Sequence, residues 1–475
     1  MNNKAAFNNP LTAIDRNMLV IVLLATSLYW IYLIFTSSMT IDMDALGYQN
    51  LGQLLHEHGW ISYFNDSPKR EPLFPLSIAG SMWLGGKLGV SYQLVQKFLH
   101  GGIVLWSQVL LFFLMRRLKM SALVMGAVLL YFGFSPAIVN SGMSLFSEIW
   151  TYPFVLLTVI SVIKAHEEQD RGIGHAAVLA IACVLSALGI IFVKAVFEWS
   201  CIVFFIPVLF LAARSIWFAK QRAGWSLVIF FMIVMGGVGI ICHMYKMINQ
   251  RQNGYYYITD HRGPFAVYGN AMRRIEPVTS KKVGIASSSM LGDRVCRKIF
   301  TQQECLDWSF VGSDTIGQQH SRDLSRRGMA DPDIGRQLIH DALLFVQEHP
   351  LRYGLFFSIE YLKNFFWEST KIAFVSYPDW LQNIYENQVC RYGIRSVLAV
   401  FSFFGFVYTV LFLFSSRRND SRRYVLFWVV WMVMVWGLSL SFVSILTRYT
   451  FPVAPLYLVL IGFAFDNLLA RKTNS

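Results

Sequence analysis

Residues 18–36, MLVIVLLATSLYWIYLIFT, run for 19 positions without a charged side chain, and charge returns only in Thr40-Ile41-Asp42-Met43-Asp44. A bilayer core about 30 Å thick takes roughly 20 helical residues to cross, so this stretch has the length of a span. No small-residue cleavage pattern stands before Asp42, and the segment reads as a retained anchor rather than a signal peptide. Similar stretches recur at 93–115, 121–138, 149–163, 176–193, 199–213, 225–245, 396–414, 424–445 and 449–468. Of 475 residues, 55% are hydrophobic and 15% charged, a surface that lipid must solvate. This excludes a single soluble domain, a disordered chain and a secreted disulfide scaffold. The expected fold is an all-α polytopic membrane protein with about ten transmembrane helices.

The net charge is +13, from 41 basic and 28 acidic residues. Its distribution says more than its size. Arg116, Arg117 and Lys119, then Arg214, Lys220 and Arg222, then Arg417, Arg418, Arg422 and Arg423, and finally Arg471 and Lys472 flank the ends of alternate spans. Such clusters mark a cytoplasmic side, so the positive charge is a topology signal and poor evidence for a nucleic-acid partner. Both termini are then expected in the cytoplasm. A further apolar stretch, Pro72 to Leu88, would invert every later loop if it crossed, and it reads as interfacial or re-entrant.

Two segments fall outside under this reading: the loop 37–92, with interfacial helices, and the long segment 247–392. The chain thus divides into an N-terminal transmembrane module, 1–246, an external domain of mixed secondary structure, 247–392, and a C-terminal transmembrane module, 393–475. From Arg251 to Glu386 there are 16 basic and 15 acidic residues and no apolar run of span length. Within it, Leu351 to Trp367 interleaves apolar residues with Arg352, Glu360 and Lys363, the pattern of a helix lying on a membrane surface. Cys296 and Cys305 lie nine positions apart in this segment, where an oxidising compartment would pair them. Cys390 would remain free, and Cys183, Cys201 and Cys242 read as small apolar packing residues within spans. No CxxC pair, zinc spacing, P-loop or nucleotide-binding glycine fingerprint occurs.

Ionisable residues gather at the outer ends of the spans. In the first loop, Asp44, Tyr48, Leu51 and Leu55 share one helical face, with Gly59 as a stop signal. Asp44 reads either as an N-cap or as a carboxylate placed to take a proton from an incoming hydroxyl, and the roles are compatible. The loop ends Asp66-Ser67-Pro68-Lys69-Arg70-Glu71-Pro72-Leu73-Phe74-Pro75. Lys69 and Arg70 there suit a lipid phosphate, and equally suit snorkelling to head groups. Glu148 follows Ser147 at the outer start of a span, and Lys194 and Glu198 occur where two others meet outside.

The Asp-x-x-x-Tyr helix, the Arg70-Glu71-Pro72-Leu73-Phe74-Pro75 run, Ser147-Glu148 and the late Arg448-Tyr449-Thr450-Phe451-Pro452-Val453-Ala454-Pro455 together resemble the type C glycosyltransferases. The likeness is nearest the bacterial branch of protein O-mannosyltransferases and the lipid A aminoarabinose transferase, and it runs the length of the chain in short motifs. It implies a sugar donor carried on polyprenyl phosphate, an inverting transfer to a hydroxyl of a lipid, glycan or protein acceptor, and a bacterial inner membrane with the site facing the periplasm. By resemblance Asp44 is the base, with Asp42 its rival and Glu148 a second acid. Arg70 takes the place of a cation holding the donor phosphate, with Lys69, Lys194 and Arg448 as further contacts. Many relatives have Lys-Pro-Pro where this chain has Arg70-Glu71-Pro72, which leaves the role of Glu71 open.

A carboxylate base and phosphate-neutralising cations suffice for such chemistry, so no cofactor is required. A divalent metal near Asp42, Asp44 and Glu148 is compatible with the spacing and not demanded by it. Acceptor contacts are expected in 247–392, where Tyr256 and Phe265 could stack on a sugar ring. The competing readings are a transporter or flippase, which would more often show paired repeats and broken spans near the midplane, and an O-antigen ligase-like enzyme using a diphosphate-linked donor.

Overall fold

The apolar runs become helices wherever the ends of their backbones find partners. α1 (Ala13–Thr36) starts at Thr12, whose hydroxyl accepts the Asp15 N–H at 3.1 Å. It ends where the buried Lys97 ammonium donates to the Ile34 carbonyl (3.2 Å) and to the carbonyl of Ser37, supplying acceptors at the helix end with a donor. The computed structural model describes residues 11–66, 69–218, 221–259, 262–368, 374–415, 420–443 and 447–473. After α1 come α2 (Asp44–Asn65), α3 (Leu73–Leu88), α4 (Tyr92–Arg117), α5 (Ala122–Phe134), α6 (Pro136–Met143), α7 (Thr151–Glu167), α8 (Ile173–Ile191), α9 (Phe197–Phe218) and α10 (Gln221–Asn253). Among the described residues nine helical stretches are long and apolar enough to cross a membrane. The bent pair α5–α6, broken by 41°, makes a tenth if it is one span. The protein is an all-α, polytopic membrane protein.

The long segment between α10 and the next span is helical too: α11 (Arg262–Arg274), α12 (Ser280–Leu291), α13 (Asp293–Ile299), α14 (Gln302–Asp307), α15 (Phe310–Arg326), α16 (Asp331–Glu348), α17 (Pro350–Tyr361) and α18 (Asp379–Glu386). The mixed structure expected there is absent among the described residues, apart from a two-residue strand, β2 (Val375–Ser376), which pairs antiparallel with β1 (Ser38–Met39). The segment is also shorter than 247–392, because α10 runs on to Asn253 and α19 (Gln388–Ser415) begins before 393. α20 (Arg422–Val443), the short α21 (Thr447–Thr450) and α22 (Ala454–Thr473) complete the chain.

α17 packs one face inward and leaves Leu351, Leu355 and, just past its end, Leu362 exposed on the other. Phe356 is fully buried, and the Glu360 carboxylate lies inside the helical segment against Arg273 (2.5 Å) and Arg274 (2.5 Å). What looked like a charged outer face is half of a buried ion cluster. The Cys296–Cys305 disulfide, with Cα atoms 5.9 Å apart, sits in the same core beside Trp308 and Phe356. Cys390 is exposed, while Cys183, Cys201 and Cys242 are buried thiols.

α7, α20 and α22 form the middle of the bundle, where Tyr152, Trp428, Trp436 and Tyr457 are withdrawn from solvent. Close approach uses small residues: a Cβ on Gly405 of α19 would stand 2.9 Å from the Leu460 backbone of α22. The outer helices expose Ile21, Phe210, Ile240 and Leu411, a surface suited to acyl chains.

Contacts sort the two ends of the bundle. At one end Arg116 meets Asp15 (3.9 Å), Arg117 meets Glu167 (3.3 Å) and the Ser121 N–H donates to Asp466 (3.0 Å), so Arg116, Arg117, the start of α1 and the last turns of α22 share that end. At the other lie β1, the start of α4, the α8–α9 turn and the helical segment. α3 begins there, its Leu73 N–H on the Phe192 carbonyl (3.0 Å). It also finishes there, since α4 has reached Lys97 and the end of α1 only about a turn and a half after its start. The stretch Pro72–Leu88 therefore returns to the end from which it set out.

Candidate active site

The acids and cations picked out in the sequence meet at this second end, in two pairs. Asp44 is the first residue of α2, not its cap. The cap position falls to Met43, an exposed residue with φ 45° and ψ −115° that offers no side-chain bond. A positive φ at a residue with a side chain is uncommon and carries a conformational cost. It turns the chain so that the Asp44 carboxylate receives the Arg70 guanidinium at 2.5 Å, with both side chains about three-quarters buried. Gly59, the expected stop, does break α2 with φ 73°, but the helix resumes to Asn65 and brings the chain round to Arg70, whose carbonyl accepts the Tyr63 hydroxyl at 2.8 Å.

The second pair is deeper. Glu148 opens a short 3₁₀ turn, Glu148–Trp150, leading into α7, and its Oε1 accepts from the Lys194 ammonium at 3.2 Å. Glu148 is 4% exposed and Lys194 9%. Among the described residues Glu148 Oε2 has no hydrogen-bond partner. Burial alone would lower the pKa of Lys194. Glu148, Tyr48, Glu71 and Tyr449 around it outweigh that and hold it above the ordinary lysine value, so the ammonium is charged at neutral pH.

Two bridges join the pairs. Tyr48, buried on α2, lies under the Arg70 guanidinium, 5.2 Å from ring centre to Cζ, and its hydroxyl is 3.1 Å from Ser147 Oγ beside Glu148. Burial pushes its phenol above the usual tyrosine range, so it stays neutral. On the other side, Glu71 Oε1 accepts the Ala195 N–H at 2.9 Å, next to Lys194. Tyr449 adds a ring 5.5 Å below the Lys194 ammonium. Tyr48, Glu71 and Tyr449 stood in the motifs without an assigned role. The four-residue step from Asp44 to Tyr48 was the available signal.

Other expected members lie elsewhere. Asp42 is exposed, and its carboxylate accepts the neighbouring Met43 N–H at 2.7 Å. Lys69 is half exposed and pairs with Asp66 at 3.6 Å, one helical turn away. Arg448 has its backbone in α21, and its side chain lies outside the described residues. Tyr256 is partly exposed, but its hydroxyl is 2.6 Å from His243 Nδ1, and Lys246, itself paired with Glu198, covers one ring face at 4.7 Å. Phe265 is buried in the helical segment with Tyr268, Leu324 and Leu338, so it has no open face for a sugar. A cleft of about 600 Å³ in that segment is lined by Lys281, Lys282, Glu304 and Trp308 among others. Among the described residues no group of three or more His, Cys, Asp or Glu side chains is placed to hold a metal ion.

One further acid, absent from the sequence reading, is Glu368. Fully enclosed at the α5–α6 break, its carboxylate accepts from the Ser135 hydroxyl (3.0 Å) and the Ala137 N–H (3.0 Å). Burial outweighs these bonds and pushes its carboxyl up to about 7.

The chain matches no family model and no curated protein. What the arrangement can do must therefore be argued from its chemistry. It combines a carboxylate and a guanidinium, each about three-quarters buried, with a buried ammonium and a buried carboxylate that has one oxygen without a hydrogen bond among the described residues, all at one end of a membrane bundle.

Proposed function

We propose that the protein is a glycosyltransferase that moves a sugar from a polyprenyl-phosphate donor to a hydroxyl of a membrane or periplasmic acceptor, in a bacterial inner membrane with the site facing the periplasm. The observation that carries this reading is the coupled pair of pairs, Asp44–Arg70 and Glu148–Lys194, joined through Tyr48 at one end of the spans. The motif resemblance to type C glycosyltransferases supports it.

The donor phosphate competes with Asp44 for Arg70, which frees a carboxylate oxygen as the site fills. The acceptor hydroxyl gives its proton to Asp44, and its oxygen bonds the anomeric carbon on the face opposite the phosphate. The bond from that carbon to the phosphate oxygen breaks, with its electron pair leaving on the phosphate. Arg70 and Lys194 balance that charge in surroundings partly closed to water, where such donors act most strongly. Glu148, buried behind them, holds the Lys194 ammonium in place. Attack opposite the leaving group inverts the anomeric centre.

Asp44→Asn keeps the side chain's size and removes the proton acceptor, so transfer of labelled sugar falls by roughly two orders of magnitude or more while the protein still folds. Arg70→Ala raises the donor KM as well as lowering turnover. Near-normal transfer by a folded Asp44→Asn protein would remove Asp44 from the mechanism.

One observation favours a second reading, a transporter: the span α5–α6 is broken and holds a buried carboxyl at its break, a feature of alternating-access proteins. A transporter would carry its lipid or solute across intact.

A further inference from the structure

Glu71 lies between two cations, Arg70 beside it in the chain and Lys194 across the site, and its Oε1 accepts a backbone hydrogen bond from the Ala195 N–H at 2.9 Å. Two residues on, the Leu73 N–H donates to the Phe192 carbonyl at 3.0 Å. These bonds form two rungs between the end of the first loop and the turn that joins α8 to α9. The turn's own bonds run back along the chain, Lys194 N–H to Ile190 and Phe197 N–H to Lys194, and hold it to its own helices. The rungs thus tie the backbones around Arg70 and Lys194 together directly, alongside the side-chain path through Tyr48, Ser147 and Glu148.

We propose that Glu71 is a positioning residue, a carboxylate latch that ties the first loop to the α8–α9 turn and so fixes the Arg70 and Lys194 cations at one separation. A carboxylate accepting a backbone N–H makes a stronger bond than an amide or hydroxyl would. Pro72 follows directly and fixes φ at −75°, which limits how far the Glu71 backbone can drift from the turn. Two cations that must bear on one phosphate gain from a fixed spacing, since a displacement near 1 Å can cost about a hundredfold in rate. The latch is a matter of geometry. Its kinetic consequence rests on the transferase reading.

The test compares Glu71→Ala with Glu71→Gln in the full-length protein in lipid nanodiscs. Glutamine keeps an oxygen acceptor for Ala195 and removes the charge. Alanine removes both, while the Leu73–Phe192 rung remains to hold the fold. Amide hydrogen exchange is followed in peptides covering 192–197, together with sugar transfer from polyprenyl phosphate. Glu71→Ala should speed exchange of the turn at least about tenfold and lower transfer roughly 10- to 100-fold, mostly through the donor KM. Glu71→Gln should keep most of the protection and stay within about threefold of wild-type transfer. Unchanged exchange in Glu71→Ala would overturn the latch, and so would a Glu71→Gln protein as unprotected as the alanine variant. Faster exchange with unaltered transfer would overturn its positioning role. If the wild-type protein transfers no sugar, the functional reading fails by itself, and the exchange comparison still decides the latch.

Discussion

Glu148 and Lys194 are 46 positions apart in the chain and 3.2 Å apart in space, both almost wholly withdrawn from solvent. A buried pair of this kind contributes little net stability against an apolar substitute, but losing one partner strands the other charge, at a cost of about 3–5 kcal/mol. Glu148→Gln and Lys194→Met should each lower the unfolding temperature in detergent, and the double variant should recover a large part of the loss. Additive losses in the double variant would mean that the two groups do not depend on each other. Sequence reasoning singled out Asp44, Arg70, Glu148 and Lys194 because charged residues at the ends of apolar runs stand out. It could not say which acid meets which cation, since the pairing is made by helix packing. It also treated Lys69 as equivalent to Arg70, although one residue's difference along the turn sends Lys69 to Asp66 and the solvent. Asp42 and Asp44 looked interchangeable for the same reason. Only the turn at Met43 separates them.

Among the elements, the α5–α6 break holds the most consequential polar group that no pattern announced. Glu368 is a single acid at the end of an aromatic-rich run, and nothing in its neighbours' identities signals that it will be enclosed at a helix start 231 positions earlier. Its carboxyl titrates near 7 in the folded protein and near 4.5 in the unfolded chain, so between those values the folded state holds a proton that the unfolded state has lost. The stability this proton confers is complete below about pH 4.5 and is lost as the pH rises through 7. The unfolding temperature should therefore drop between pH 5 and pH 8, and Glu368→Gln, which cannot ionise, should show a visibly shallower drop. An identical slope in both proteins would mean that Glu368 is solvated or otherwise paired. The spans themselves were legible, because nothing but lipid-facing helix explains long uncharged runs. α17 was legible only in part: its alternation of apolar and charged residues marks an amphipathic helix, but not that Glu360 meets Arg273 and Arg274 inside the helical segment.

For the whole molecule, the bundle places Arg116 and Arg117, with the start of α1 and the last turns of α22, at one end and the paired acids and cations at the other. If positive charge marks the cytoplasm, a cysteine introduced at 117 should resist an impermeant thiol reagent in intact cells, while one at 314, in α15, should react. Labelling at 117 from outside would invert the orientation and with it the compartment of the site. That arrangement suits either a transferase or a carrier, and the two differ in a single covalent event. The most direct test places purified protein in sealed vesicles with a polyprenyl-phosphate sugar labelled in both the sugar and the phosphate, together with acceptor-bearing envelope lipid and protein. The account predicts that the two labels separate, the sugar appearing on acceptor and the phosphate remaining on the polyprenol, and that Asp44→Asn abolishes the separation. Labels that stay joined while the lipid or its sugar changes sides of the membrane would contradict it.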